Sequence, residues 1–252
     1  MIGITFVGNL GVEKATDRVD PERVGVAGIC VGASLVLIAA QDLRINEKVK
    51  FVNFFAGYYD AFDFIRAIAS RTRFNDNYSD SWDTDDLTLT VFTYHLLEGV
   101  TSELDRGILN NIFFPVEGSP PADAGSLTEE GRAVYEMLKG VPFDEVDHLM
   151  ETLSPETRTF LKLISPSTYI DDVKAQVLIM HDVSDRLVPS EESLRLVKAL
   201  EKRGNVYHTQ FSFFQNEVQV HRDESIKTNA LEYVKEAHKL YMHIYEIMRI
   251  VE

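Results

Sequence analysis

The sequence predicts an α/β protein with a parallel sheet and a helical insertion between two of its strands. Strand and helix patterns alternate from Arg23 to Asp42 and again from Ala175 to Phe214. Such alternation favours parallel crossover units, because a tight turn cannot join two parallel strands. Residues 61–164 contain helical patterns but no convincing core strand. We therefore expect a core of residues 1–60 and 165–252, with residues 61–164 as a helical cap.

The first part of the core is predicted from a long apolar run. Arg23 to Ile29 favours a strand, and Gly32 to Asp42 favours a helix that is apolar on nearly every side. A membrane span is not predicted, because the uncharged residues 24–40 would reach only about 25 Å as a helix, against roughly 30 Å of hydrocarbon. Lys50 to Asp60 supplies the next strand, a short apolar run ending at a glycine.

The second part of the core repeats the order of strand, helix and strand. Ala175 to Asp185 and Asn205 to Phe214 are rich in β-branched or aromatic residues, so both are predicted strands. Between them an amphipathic helix is predicted, with Ser190 as its N-cap and Gly204 as its stop. A long C-terminal helix follows, and its regular charges fit packing on a sheet or on a partner.

Composition argues against several functional classes. The formal net charge of −15 disfavours nucleic acid, which needs clustered Lys and Arg, and it also disfavours anionic membrane surfaces. The single cysteine, Cys30, excludes an intramolecular disulfide and a cysteine-based zinc site. No signal peptide is predicted at the N-terminus, so a cytoplasmic location is expected. The carboxylate-rich stretch Asn75 to Asp86 lacks calcium-loop spacing and is predicted to be a solvated loop with helix caps.

The main chemical signal is the pentapeptide Gly28-Ile29-Cys30-Val31-Gly32, at the junction of the first strand and helix. It has the form of a nucleophile elbow, a sharp turn that exposes its central residue. The two glycines are expected to be needed so that neighbouring backbone can approach. Cys30 is then the nucleophile, and the Val31 amide would hold an oxyanion. The amide and the helix dipole are expected to lower the pKa of the thiol.

An acid that orients a catalytic histidine is expected on a loop after a strand. Asp182 and Asp185 both meet this condition, directly after the run Gln-Val-Leu-Ile-Met. With these residues, the sequence resembles the α/β-hydrolase fold superfamily over residues 20–54 and 165–252. The cysteine in the elbow is similar to the dienelactone-hydrolase-like branch of that superfamily. The resemblance implies that Asp185 is the acid.

The resemblance also implies a chain order of nucleophile, acid and base. His221, on the loop after the last strand, suits that order, whereas the alternative His208 lies inside the strand. A chain without a functional base stays open as well. The implied Cys30–His221–Asp185 triad would hydrolyse an ester, lactone or thioester through a thioester acyl-enzyme. The implied partner is a small-molecule acyl substrate, and no cofactor or metal is required.

The resemblance predicts that part of the fold is missing. The family places roughly a hundred residues before its nucleophile, including several strands and the second oxyanion amide. Here 29 residues precede Cys30, so we expect a sheet of about four strands with its first strand near an open edge. Ile2 to Gly8 could be a short strand that covers this edge, although the resemblance implies the end of a helix there. Three hypotheses follow. The first is a fragment or split protein whose missing part comes from another polypeptide or a misplaced start, with another copy or a complementing N-terminal chain as its partner. The second is a complete small hydrolase with a substitute oxyanion donor, and the third is a non-catalytic relative that binds a small ligand or a partner.

Overall fold

The computed structural model describes residues 24–118, 122–212 and 230–252. The described residues form two compact units: those up to Asp60 and from Ile164 onward make one, and those within Ala61–Leu163 make the other. The predicted base His221 lies outside the described residues.

The first unit contains a four-stranded sheet in which every pair of neighbours is parallel. Along the described chain, the strands are β1 (Gly25–Ile29), β2 (Phe51–Phe55), β3 (Thr72–Phe74), β4 (Ser79–Ser81), β5 (Gln176–Asp182) and β6 (Val206–Phe211). The sheet has the order β1-β2-β5-β6. This confirms the predicted α/β fold class, and the four strands and the edge position of β1 match the expectation for the described residues.

Helices follow the strands as the sequence predicts. The described α-helices are α1 (Val31–Gln41), α2 (Ala61–Ser70), α3 (Asp86–Gly99), α4 (Glu103–Phe113), α5 (Glu129–Lys139), α6 (Val146–Glu151), α7 (Pro155–Leu163), α8 (Glu191–Leu200) and α9 (Ala230–Val251). Among them, no helix is both long and apolar enough to cross a membrane.

The strand register brings three strand ends to one edge of the sheet. Ile29 at the end of β1 lies beside Phe55 of β2, which lies beside Met180 of β5. The residues that follow β1 and β2, and the last residues of β5, therefore emerge together at the carboxyl edge. In open parallel sheets this edge is where ligands bind.

The core of this unit lies on one face of the sheet. Alternate strand residues are fully buried there and pack with α1 and α8, among them Val52, Phe54, Val177 and Ile179. Helix α1 is fully buried on one face, but Val31 is exposed and Leu35 and Ile38 are half-buried. Its apolar sequence predicts burial on all sides, and this prediction is wrong for the described part of the chain.

The opposite face packs against the C-terminal helix α9. The fully buried His243 bridges two strands: Nδ1 lies 2.8 Å from the Thr209 hydroxyl of β6, and Nε2 lies 2.9 Å from the Asn53 side-chain oxygen of β2. A neutral imidazole serves both contacts by accepting at Nδ1 and donating at Nε2. The predicted long C-terminal helix thus packs on the sheet.

The start of α8 departs from the predicted cap. Ser190 occupies the N-cap position, but its backbone is already helical, with φ −61° and ψ −18°, and its side chain makes no capping hydrogen bond. The Glu192 amide donates instead to the Pro189 carbonyl at 3.0 Å. Gly204 has the left-handed conformation expected of a stop signal, with φ +68°.

The second unit is mostly helical and also contains a small hairpin. Strands β3 and β4 pair antiparallel, with Thr72 opposite Ser81. The prediction of a loop is wrong for β4, because the turn at Asn75 folds the chain back onto β3. The Asn75 side chain fixes that turn by accepting from the amides of Asn77 and Tyr78.

The predicted exposure is confirmed for β4, and the predicted helix cap is confirmed at Asp85, whose side chain accepts from the Leu87 amide at the start of α3. Within the described residues, no group of three or more His, Cys, Asp or Glu side chains is arranged to hold a metal ion.

Candidate active site

Cys30 occupies a strained turn between β1 and α1. Its φ is +54° and its ψ is −135°, a region that L residues rarely adopt and that costs of order 1–3 kcal/mol. The turn is fixed on both sides, because the Cys30 amide donates to the Phe55 carbonyl at 2.8 Å and the Cys30 carbonyl accepts from the Ala33 amide at 2.9 Å. This is the geometry of a nucleophile elbow.

The two glycines of the elbow have different surroundings. A Cβ at Gly28 would lie 2.5 Å from the Gly32 carbonyl oxygen and 2.7 Å from the Ala33 Cα, so no side chain fits there. A Cβ at Gly32 would meet no atom of the described residues within 4 Å. The expectation that Gly32 must also be small is thus wrong for this part of the chain, because it is the backbone of Gly32, not its missing side chain, that comes close to Gly28.

The Cys30 thiol is half-buried, and its pKa lies above the ordinary value. Burial is the largest cause, and the negative charge of Asp185 adds to it; the Val31 amide, which donates to the sulfur, acts in the opposite direction. The predicted lowering of the pKa is therefore wrong, since desolvation outweighs the amide. The thiol is therefore protonated at neutral pH.

The two candidate acids have different roles in the loop after β5. Asp182 Oδ1 accepts from the amide and the hydroxyl of Ser184, at 2.8 and 2.7 Å. Asp185 Oδ1 accepts from the amides of Leu187 and Val188, at 2.7 and 3.0 Å. Both carboxylates are buried, but Asp185 is the one whose charge acts on Cys30. Asp185 is therefore the better supported of the two as an orienting acid.

The alternative base His208 lies inside a strand. It belongs to β6 and pairs with Ile179 of β5, away from the strand end. Burial lowers its pKa, and the neighbouring His181 lowers it further. This position favours a packing role for His208. The structure thus places Asp185 where its charge raises the pKa of the Cys30 thiol. His221 lies outside the described residues.

A buried carboxylate that the sequence did not indicate supports the loop after β2. Glu192 is fully buried, and its Oε2 accepts from the amides of Tyr59 and Asp60 at 2.8 and 3.1 Å. Arg195 lies 3.3 Å from the other oxygen. Two adjacent acids in a first helical turn look like a solvated helix start in the sequence. The one available signal is spacing: Glu192 stands four and eight residues before the buried Leu196 and Leu200, although the adjacent Glu191 is buried as well.

Tyr58 in the same loop interacts electrostatically with Cys30. The tyrosine is buried, and its hydroxyl donates to the Ile164 carbonyl at 3.1 Å. Its pKa is raised by burial first, then by Glu192 and by Cys30. The Ser34 hydroxyl of α1 donates to the Tyr58 carbonyl at 2.7 Å, so the first turn of α1 is tied to the loop that follows β2.

No family model matches the chain, and no curated protein matches its sequence at a significant level. Solved structures show a loose likeness in fold. An acylaminoacyl peptidase from Pyrococcus horikoshii is 15% identical over 97% of this chain and 29% of its own, with a TM-score of 0.44. A meta-cleavage product hydrolase from Pseudomonas fluorescens IP01 is 16% identical over 99% of this chain and 72% of its own, with a TM-score of 0.43. An esterase from Rhizomucor miehei is 12% identical over 96% and 58%, with a TM-score of 0.40.

The chain spans 28% to 29% of the length of the acylaminoacyl peptidases that it resembles. Since these identities and TM-scores are low, the function has to rest on the residues of this chain.

Proposed function

We propose that the chain is a cysteine hydrolase that acts on a carboxylic ester, a lactone or a thioester. The observation that carries this proposal is the conformation of Cys30, with its positive φ at a strand–helix junction and the Val31 amide directed at its sulfur. Strain of this kind persists only where surrounding structure imposes it, and it is concentrated at functional sites. The effect of the Asp185 charge on the pKa of the thiol supports the same function.

The proposed reaction proceeds in two steps. Asp185 orients His221, which takes the proton from the Cys30 sulfur as the thiolate attacks the carbonyl carbon. The Val31 amide donates to the oxyanion, the C–O or C–S bond to the leaving group breaks, and His221 returns the proton to that group. His221 then deprotonates a water, which attacks the thioester and releases the acid and the free thiol.

The raised pKa of Cys30 supports the need for a general base in this scheme. Cysteines with lowered pKa values are already thiolates at neutral pH. A cysteine with a raised pKa is a thiol there, so a base has to remove its proton before or during attack. A cysteine in the elbow also supports the finer assignment to the dienelactone-hydrolase-like branch. We propose in addition that the second unit, Ala61–Leu163, is the cap, since the chain enters it six residues after β2 ends beside Cys30.

The direct test is hydrolysis of p-nitrophenyl acetate and of a short-chain acyl thioester by the full chain. The Cys30→Ala variant should lose activity to the buffer rate, and iodoacetamide should inactivate the wild type in step with alkylation. Cys30→Ser, which keeps the size of the side chain, is the matched control for folding. The proposal is wrong if Cys30→Ala hydrolyses at the wild-type rate, or if the native protein has no activity and its thiol stays unmodified.

A second candidate is a chain that needs a partner strand, and the edge of the sheet favours it. The Val24 carbonyl and the Cys30 amide both bond toward β2. In a parallel ladder the alternate residues, Ala27 and Ile29 among them, direct their backbone groups to the other side. Both residues are exposed, and no described strand pairs there. An uncharged edge of this kind invites pairing with another copy or a complementing chain.

A further inference from the structure

We infer that His181 is a positioning residue that holds the loop carrying Asp185 against the end of β5, an inference that rests on the proposed function. His181 is the penultimate residue of β5, and its side chain is fully buried. It does not contact the thiol, so its effect on the reaction acts through Asp185.

The hydrogen-bond partners of His181 assign its tautomer. Nε2 lies 3.0 Å from the Val188 carbonyl, which can only accept, so this nitrogen carries the hydrogen. Nδ1 lies 2.6 Å from the Ser193 hydroxyl of α8 and accepts from it in the neutral ring. Both nitrogens are thereby engaged, and α8 fixes the plane of the ring.

These contacts connect His181 to Asp185 by two routes. The first passes through Val188: its carbonyl accepts from His181, and its amide donates to Asp185 Oδ1 at 3.0 Å. The second is direct, because His181 Nε2 lies 3.6 Å from Asp185 Oδ2. The loop is thus closed onto the strand through one residue, and that residue binds the carboxylate as well. Val188 is itself fully buried, so removing the imidazole leaves its carbonyl without this donor.

The consequence for the site is a fixed position of the Asp185 charge relative to Cys30. If His181 is replaced by an apolar residue, the loop loses its tie at Val188, and the carboxylate moves away from its present place. Asp185 raises the pKa of the Cys30 thiol, so the thiol reports on this position. Replacing His181 should therefore lower the pKa of the thiol, as removal of the Asp185 charge does.

The experiment is the rate of iodoacetamide alkylation as a function of pH, which is specific here because Cys30 is the only cysteine. Asp185→Asn should lower the pH midpoint, and a fall of half a unit gives about threefold faster alkylation below the midpoint. His181→Leu should lower it in the same direction. The double variant should shift no further than Asp185→Asn alone, because the two changes act through one charge.

Conservative variants separate positioning from general loss of structure. His181→Gln places an amide donor near the position of Nε2 and should keep the wild-type midpoint, whereas His181→Asn reaches only the Nδ1 side and should lower it. If His181→Leu does not fold, this pair decides: two equal midpoints overturn the inference. A folded His181→Leu with the wild-type midpoint, or shifts that add in the double variant, also overturns it.

The thiol titration needs no turnover, so the two proposals fail separately. If the variants at His181 and Asp185 shift the midpoint as expected but the chain hydrolyses no ester or thioester, the proposed function is wrong. The coupling between His181 and Asp185 then still stands. Hydrolysis that depends on Cys30 and Asp185, with a midpoint indifferent to His181, contradicts the positioning role alone.

Discussion

The backbone amide of Cys30 donates to the carbonyl of Phe55 at 2.8 Å, which ties the strained turn after β1 to the end of β2. Ala56, the residue after Phe55, also has a positive φ, +52°, and its amide donates to the Met180 carbonyl of β5 at 2.8 Å. Two neighbouring strand ends thus carry strained residues, each held by the next strand. The sheet therefore imposes the conformation that presents the thiol.

The geometry of the elbow predicts that alanine substitutions at its two glycines change the free energy of unfolding very differently. Gly28→Ala should destabilise the fold by about 1–3 kcal/mol, since the new methyl group would lie against the backbone of α1. Gly32→Ala is the matched control: it lies in the first turn of α1, and alanine there should be neutral or stabilising by up to about 1 kcal/mol. Urea denaturation of both variants measures the difference. Equal unfolding free energies for Gly28→Ala and the wild type would contradict this account of the elbow.

His243 predicts a loss of stability in mild acid. Burial lowers its pKa to about 4, from an ordinary value of 6.5, and His208 contributes to the shift. The native state then binds fewer protons than the unfolded chain between these values, so the contribution of His243 is present above about pH 6.5 and is lost as the pH falls toward 4. The loss is at most about 3 kcal/mol.

The measurement is the unfolding free energy between pH 7.5 and pH 4.5. Carboxylates titrate in the same range, so the His243→Gln variant serves as the reference: its side chain cannot be protonated, and the difference from the wild type isolates the imidazole. Parallel pH profiles for the two proteins would show that His243 makes no such contribution.

Removing the buried carboxylate of Glu192 should greatly reduce the free energy of unfolding, because the loop after β2 depends on it. Glu192→Ala removes the acceptor for the amides of Tyr59 and Asp60 and the partner of Arg195, which should cost about 3–5 kcal/mol. Glu192→Gln keeps one acceptor oxygen and should cost less. Glu201→Ala, at the exposed residue that follows α8, is the control and should change the free energy of unfolding by less than about 0.5 kcal/mol. Similar losses for the Ala variants at 192 and 201 would refute the supporting role of Glu192.

Much of the fold could be predicted because local signals agree with the tertiary structure. The alternation of apolar strands with helices predicts the parallel sheet, and Gly28 with Cys30 predicts the elbow. Asp185 was one of two candidates, and the structure favours it through its effect on the thiol. These signals depend on residues close in sequence, where backbone sterics and periodicity dominate.

The properties that sequence reasoning did not give depend on contacts between distant segments. The pKa of Cys30 rises because the folded chain buries the thiol, and no local pattern records how far burial outweighs the Val31 amide. The Ser190 side chain does not cap α8, because the first helical turn already begins at Pro189. The role of His181 depends on Ser193 and Val188, which reach it only when α8 packs on β5.

No strand in the described part of the chain pairs with the outer side of β1, and this edge predicts self-association that a single charge should abolish. Ile29 is 68% exposed beside that edge, and a lysine at this position would oppose strand pairing, as charged side chains do on natural edge strands. Leu43, which is 76% exposed after α1, offers the matched control, since Leu43→Lys adds the same charge away from the strand. Analytical ultracentrifugation should show a concentration-dependent dimer for the wild type and for Leu43→Lys, and a monomer for Ile29→Lys. A wild type that is monomeric at all concentrations rules out pairing of two copies at this edge.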